Sequence, residues 1–148
     1  MIKVLLIGAS FFVSLNAMAT PIVNQPLLSK KQYSGYVAPG YNTSHECNIY
    51  PNWVVITYGA GEAKIKHNKR IAISGNIFAM IEEAKRGPYE KNNSPLDASA
   101  ASYTALKTNI DGTVSSIDLG VYVGDTWQLA NLSAGAFGLR HLLDKLCD

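Results

Sequence analysis

Charged residues are scarce in this sequence, and neither sign of charge dominates. Only 16% of its 148 residues are Asp, Glu, Lys or Arg, and the formal net charge is +2. A chain so close to neutrality has no general electrostatic attraction to nucleic acid or to anionic lipid. Since 47% of the residues are hydrophobic, the composition also excludes an intrinsically disordered chain. We therefore expect a folded protein without a nucleic-acid partner.

Long apolar runs are also scarce. The one such run, residues 4–15, covers about a dozen positions, fewer than the roughly 20 that a membrane-spanning helix needs. Lys3 precedes the run and Ala17-Met18-Ala19 follows it, which is the order of a secretory signal peptide. The sequence predicts that residues 1–19 are a cleaved signal peptide. We expect an exported protein, periplasmic or secreted, without stable membrane insertion after cleavage.

Cysteine occurs only twice, at Cys47 and Cys147. An even number of cysteines in an exported protein predicts a disulfide bond. No CxxC or CxH spacing surrounds either residue, so no motif supports a reactive or metal-binding thiol. On the chain-entropy model, a bond that closes such a long loop stabilises the fold by at most roughly 4.7 kcal/mol. We expect it to tie the start of the folded domain to its last helix.

Catalytic and cofactor motifs are missing as well. The histidines His45, His67 and His141 do not occur at HExxH or HxH spacing, so the sequence predicts no metal site. It also contains no GxSxG, SxxK, P-loop or GxGxxG motif. We therefore predict no cofactor and assign no catalytic residue, which favours a protein that is not an enzyme.

Residues 20–46 differ from the rest of the chain. Prolines, glycines and serines interrupt the segment, and no helical or strand period persists in it. We interpret the segment as an extended N-terminal arm. Tyr36 and Tyr41 are candidate binding residues because tyrosine provides a large contact area at low rotamer cost. The alternative is a linker whose tyrosines lie on the domain surface.

Residues 47–148 have the pattern of a single α+β domain closed by the disulfide. Strands are predicted at 53–58, 63–67, 103–107, 114–123 and 126–130, with 71–73 as a further candidate. Apolar stripes after Asn76 and Ser133 each predict an amphipathic helix. The order is therefore strands, helix, strands, helix. We expect a two-layer sandwich in which an antiparallel sheet of five to six strands carries both helices on one face.

Candidate binding residues of the domain lie in a long loop and on the predicted sheet. The loop, residues 87–101, exceeds the usual connection length of about 4–6 residues, and long loops often carry function. Its most contact-ready residues are Tyr89, Glu90, Lys91 and Asn92. Alternation along 114–123 places Asp118 and Tyr122 opposite the apolar row. With Tyr103, they form a hypothetical polar binding surface.

One local basic cluster interrupts the near-neutral composition. Its members are Lys64, Lys66, Lys69 and Arg70. Because they alternate along a predicted strand and its turn, we interpret them as the solvated face of a hairpin.

These observations leave three functions open. The first is a small exported binding or inhibitory protein, of the enzyme-inhibitor or toxin-immunity type, that acts on an envelope or extracellular protein partner. The second is a structural accessory protein of the cell envelope, and the third is a small hydrolase with a dispersed site. The missing catalytic motifs, the disulfide, the long loop and the tyrosine-containing arm favour the first.

Overall fold

A broad antiparallel sheet with two helices makes up most of the described chain. The computed structural model describes residues 25–35, 42–73, 76–93 and 98–148. The strands are β1 (Leu28–Tyr33), β2 (Thr43–Ile49), β3 (Trp53–Ala60), β4 (Ala63–Arg70), β5 (Tyr89–Lys91), β6 (Ala100–Thr108), β7 (Val114–Val123) and β8 (Thr126–Asn131). The helices are α1 (Ile77–Ala84), between β4 and β5, and α2 (Ala134–Cys147), after β8. Neighbouring strands are antiparallel, in the order β4-β3-β2-β1-β6-β7-β8-β5.

The predicted two-layer sandwich with a sheet of five to six strands is wrong. The described residues form a single eight-stranded antiparallel sheet with two helices, and most of their regular structure is sheet. The strands β1 and β5 and most of β2 lie where the sequence predicts a loop or an arm. The predicted signal peptide, residues 1–19, lies outside the described residues.

The central strand β1 illustrates why the sequence pattern does not predict the additional strands. It lies within residues 20–46, and it pairs with β2 on one side and β6 on the other. Its sequence contains Lys30 and Lys31 side by side, which breaks the apolar alternation of a buried strand. Lys30 is nevertheless only 3% exposed. Its burial depends on partners supplied by the end of α2, and strand propensity carries no information about them.

The hydrophobic core lies between the sheet and the helices, on what we call the helix face. Its largest fully buried apolar side chains are Leu28, Ile49, Val54, Leu119, Leu139 and Leu143. Leu139, Leu143 and Cys147 recur every four residues, so one side of α2 packs on β1, β2, β3 and β7. The helix α1 packs against α2, closely enough that a Cβ atom at Gly135 would collide with the Met80 carbonyl oxygen. Neither described helix is long and apolar enough to cross a membrane.

The predicted disulfide is confirmed. Cys47 and Cys147 are bonded across a separation of 100 residues, with their Cα atoms 5.7 Å apart. Both residues are fully buried. The bond joins β2 to the last residue of α2, and it therefore fixes the point at which helix cover ends on the helix face.

Candidate binding site

Beyond the C-terminal end of α2, the helix face continues over the strand ends without cover from that helix. Cross-strand partners share a face, so the register of β1 to β4 identifies the side chains that lie there. The first row is Gln32, His45, Tyr58 and Ile65. The next row on the same face includes Thr43, Ala60 and Ala63. These residues line a cavity of about 570 Å³, which we call the end pocket.

Side-chain contacts hold the aromatic floor of the end pocket in place. The His45 ring stacks on Tyr58, with ring centroids 4.6 Å apart and an interplanar angle of 9°. The Nδ1 atom of His45 lies 2.8 Å from the Oε1 atom of Gln32, at hydrogen-bond distance. Yet Tyr58 is 43% exposed and Ile65 is 60% exposed. The pocket thus presents ordered apolar surface to solvent.

The end pocket carries no net charge. None of its lining residues is Asp, Glu, Lys or Arg. Burial and, to a smaller extent, the nearby charge of Lys30 lower the pKa of His45 below 6.5, although Asp148 opposes them. His45 is therefore neutral at neutral pH, and its Nε2 atom is buried without a hydrogen-bond partner among the described residues. This environment suits an uncharged group, because an ion would be desolvated without compensation.

A buried lysine links the inner end of the pocket to the end of α2. The Nζ atom of Lys30 lies 2.9 Å from Oδ1 of Asp144 and 2.9 Å from Oδ1 of Asp148. The Tyr103 hydroxyl donates to Oδ1 of Asp144 at 3.0 Å. Burial alone would lower the pKa of Lys30, but the hydrogen bonds to Asp144 and Asp148 outweigh it and raise the pKa above 10.5. Burial raises the pKa of Tyr103 to about 12, against the opposing charge of Lys30.

The raised pKa of Tyr103 predicts a specific loss of stability in alkali. The folded protein retains the phenolic proton up to about pH 12, whereas the unfolded chain releases it near the ordinary pKa of 10.0. The corresponding stabilisation is complete below pH 10.0 and is lost as the pH rises through about 12. We expect the stability of wild type relative to Tyr103→Phe to fall by about 2 kcal/mol over this range, as measured by urea unfolding. Parallel pH curves for the two proteins would contradict the prediction, and Tyr33→Phe, at an exposed tyrosine, is the control.

The residues of the hypothetical polar surface lie on opposite faces of the sheet. Tyr103 and Tyr122 pack on the helix face as part of the core or against it. Asp118 is exposed on the opposite face, which we call the open face. Asp118 and Tyr122 lie on opposite faces because the pairing of β6 with β7 is irregular: Tyr103 pairs with Gly120, but Thr104 pairs with Asp118. The extra residue, Leu119, shifts the alternation by one position, as a β-bulge does.

The candidate residues that follow α1 lie away from the end pocket. Tyr89, Glu90 and Lys91 form the edge strand β5, so part of the predicted loop is a strand paired with β8. Asn92 continues this pairing, since its backbone N–H donates to the carbonyl of Gln128 at 2.9 Å. Tyr36 and Tyr41 lie outside the described residues.

The sequence holds only a weak signal for the end pocket. Ile65 and His67 alternate with lysines along β4, and Tyr58 ends a β-branched run in β3, which predicts strands but no cavity. The pocket needs β1 to β4 side by side and α2 ending over Cys47, so it depends on contacts between distant segments.

Metal binding and known relatives provide no further identification. Within the residues that the structure describes, no group of three or more His, Cys, Asp or Glu is placed to hold a metal ion. No protein-family model, curated protein or solved structure matches the chain. A functional assignment therefore rests on the chemistry of the surfaces described above.

Proposed function

We propose that this chain is a small exported protein that binds and inhibits a protein partner in the cell envelope or outside the cell. The observation that carries the proposal is the ordered, uncharged and exposed aromatic floor of the end pocket. Export is supported by the signal-peptide pattern of residues 1–19 and by a disulfide bond, which persists in oxidising compartments.

The energetics of the pocket suit a protein interface. Binding energy in such interfaces is concentrated in a few apolar or aromatic anchors that become fully desolvated. Complete coverage of a side chain such as Ile65 contributes up to roughly 1.5–3 kcal/mol. Tyr58 is already held by its stacking on His45, so it loses less rotamer freedom when a partner covers it.

The chemistry of the pocket also defines the contact that a partner makes. An apolar or aromatic side chain fits an uncharged floor, whereas a carboxylate or an ammonium group would lose its hydration there without a counter-charge. We therefore infer that the partner inserts an uncharged side chain into the end pocket. A rigid protein that covers such a side chain acts as an inhibitor or immunity protein when that side chain lies at the partner's own active site.

A matched pair of charge insertions tests this proposal. Ile65→Asp places a carboxylate in the end pocket, and Ile110→Asp makes the same change at a fully exposed residue between β6 and β7. The immobilised, disulfide-bonded wild-type protein is used to isolate one stoichiometric partner from envelope extract. The affinity of the purified partner for each variant is then measured by surface plasmon resonance.

We expect Ile65→Asp to weaken binding by about thirtyfold, the loss that corresponds to a hot-spot residue of about 2 kcal/mol. Ile110→Asp should bind as tightly as wild type. Equal affinities for all three proteins, or no stoichiometric partner for wild type, would refute the proposal. Circular dichroism of each variant establishes that it is folded.

A further inference from the structure

The open face carries a second cavity at the β3–β4 end of the sheet, distinct from the end pocket. It measures about 990 Å³, and we call it the basic groove. The side chains that define it are Tyr50, Asn52, Trp53, Lys66, Asn68 and Arg70. Trp53 pairs with Arg70 across the hairpin, and Val55 pairs with Asn68. The groove therefore combines aromatic, amide and cationic groups along one side of the edge hairpin.

The aromatic part of the groove is an ordered platform. The rings of Tyr50 and Trp53 stack with centroids 5.2 Å apart and an interplanar angle of 24°. A tight turn holds them, because the backbone N–H of Tyr50 donates to the carbonyl of Trp53 at 2.8 Å. Trp53 remains 38% exposed. The face of an aromatic ring carries a partial negative charge, which attracts the polarised C–H groups on one side of a sugar ring.

The charges of the groove all have the same sign. Lys66, Lys69 and Arg70 line it, and no carboxylate does. The nearby Glu46, on β2, is already engaged: its Oε1 atom accepts from Asn48 at 3.0 Å and lies 3.6 Å from the Nζ atom of Lys31. On β4, Lys64, Lys66 and Arg70 project from the open face, with Asn68 between Lys66 and Arg70, and side chains two residues apart on this face are separated by about 6.8 Å. An anionic ligand with charges spaced along a chain complements this row.

We propose that the basic groove binds a segment of an acidic glycan, a sugar polymer that bears carboxylate or sulfate groups. The Tyr50–Trp53 platform stacks one sugar ring, and Lys66 and Arg70 pair with the acidic groups. The amides of Asn52 and Asn68 supply both donors and acceptors for hydroxyl groups. Nucleic acid is the weaker match, because a net charge of +2 provides little of the broad positive field that phosphate backbones require.

This assignment gives the basic cluster of the sequence a role beyond solvation. An exported protein that holds an acidic glycan through the basic groove would stay near the envelope while the end pocket remains free. The two surfaces lie on opposite faces of the sheet, so each is testable without disturbing the other.

The test uses charge-matched double variants of the full disulfide-bonded protein. Lys66→Gln/Arg70→Gln removes two cations from the groove, and Lys85→Gln/Arg86→Gln removes two exposed cations from elsewhere on the surface. Trp53→Ala removes the platform. Isothermal titration calorimetry measures the binding of two anionic probes, hexagalacturonate and sulfated dextran. Their uncharged counterparts, methyl-esterified hexagalacturonate and dextran, serve as ligand controls.

We expect wild type and Lys85→Gln/Arg86→Gln to bind at least one anionic probe, and to bind it with similar affinity. Lys66→Gln/Arg70→Gln and Trp53→Ala should each bind about tenfold or more weakly, since each loses a principal contact. The affinity of wild type should fall as salt rises, and Ile65→Asp should bind like wild type. This last result separates the glycan proposal from that of the end pocket.

Four results would overturn the assignment. The first is that neither anionic probe binds, and the second is that the uncharged probes bind as tightly as the anionic ones. The third is that both double variants lose the same affinity for the anionic probes, and the fourth is that single-stranded DNA or polyglutamate binds more tightly than either glycan. The third would indicate general charge attraction, and the fourth would assign the groove to nucleic acid or to an acidic peptide.

Discussion

The double variant Cys47→Ser/Cys147→Ser should lower the free energy of unfolding by about 2–5 kcal/mol, a large part of the stability of a small domain. The disulfide closes a loop of 100 residues, so its removal frees a large ensemble of unfolded conformations. In the folded state, the serine hydroxyls would also occupy a site where both cysteines are fully buried. Urea unfolding of wild type and the double variant at neutral pH measures the difference.

A local readout distinguishes the crosslink from general destabilisation. Because the bond anchors the last residue of α2 to β2, its loss should increase amide hydrogen exchange first at the end of that helix. Wild type in reducing agent should behave like the double variant. If the free energy of unfolding falls by less than about 1 kcal/mol both in the double variant and in reduced wild type, packing alone holds the helix end in place.

Asn131→Ala should destabilise the protein by about 3 kcal/mol, the second large effect that we predict. Asn131 is fully buried at the end of β8 and joins three elements. Its Nδ2 atom donates to the carbonyl of Ala84 in α1 at 2.7 Å and to that of Asp118 in β7 at 3.2 Å. Its Oδ1 atom accepts from the backbone N–H of Ser133 at 3.1 Å and from the Ser133 hydroxyl at 2.8 Å. Alanine removes all of these bonds and leaves a cavity.

The size of this effect follows from burial rather than from the number of hydrogen bonds. Exposed groups regain water as a partner, but a buried carbonyl or N–H group that loses its partner bears the full cost of desolvation. Asn109→Ala is the matched control. The Nδ2 atom of Asn109, like that of Asn131, donates two hydrogen bonds, to the side chains of Thr113 and Ser115, but it does so in a solvent-accessible turn. We expect it to cost less than about 1 kcal/mol, and equal losses in chemical denaturation of the two variants would contradict the argument.

Part of the candidate binding surfaces was visible in the sequence. The basic cluster of β4 and the aromatic residues of β3 are plain in the one-dimensional pattern, and their alternation predicts that Lys66 and Arg70 share a face. The stacking of Tyr50 on Trp53 and the pairing of Gln32 with His45 were not visible, because they join residues brought together by turns and strand register. The same alternation placed Asp118 on the correct face but misplaced Tyr122, since one extra residue in β7 reverses every side chain beyond it.

The sequence by itself determined the features that depend on neighbours a few residues apart or on simple counting. The stripe of Leu139, Leu142, Leu143 and Leu146 identified α2, the Ser133 hydroxyl caps it by accepting from the N–H of Ala136 at 3.1 Å, and two cysteines predicted one disulfide. Only the tertiary structure decided that β1 is central, that the sheet has eight strands, and that the end pocket lies open beyond α2. The physical reason is that helical periods and caps are local interactions, whereas the burial of Lys30 and the position of the helix end are set by groups more than a hundred residues apart in the chain.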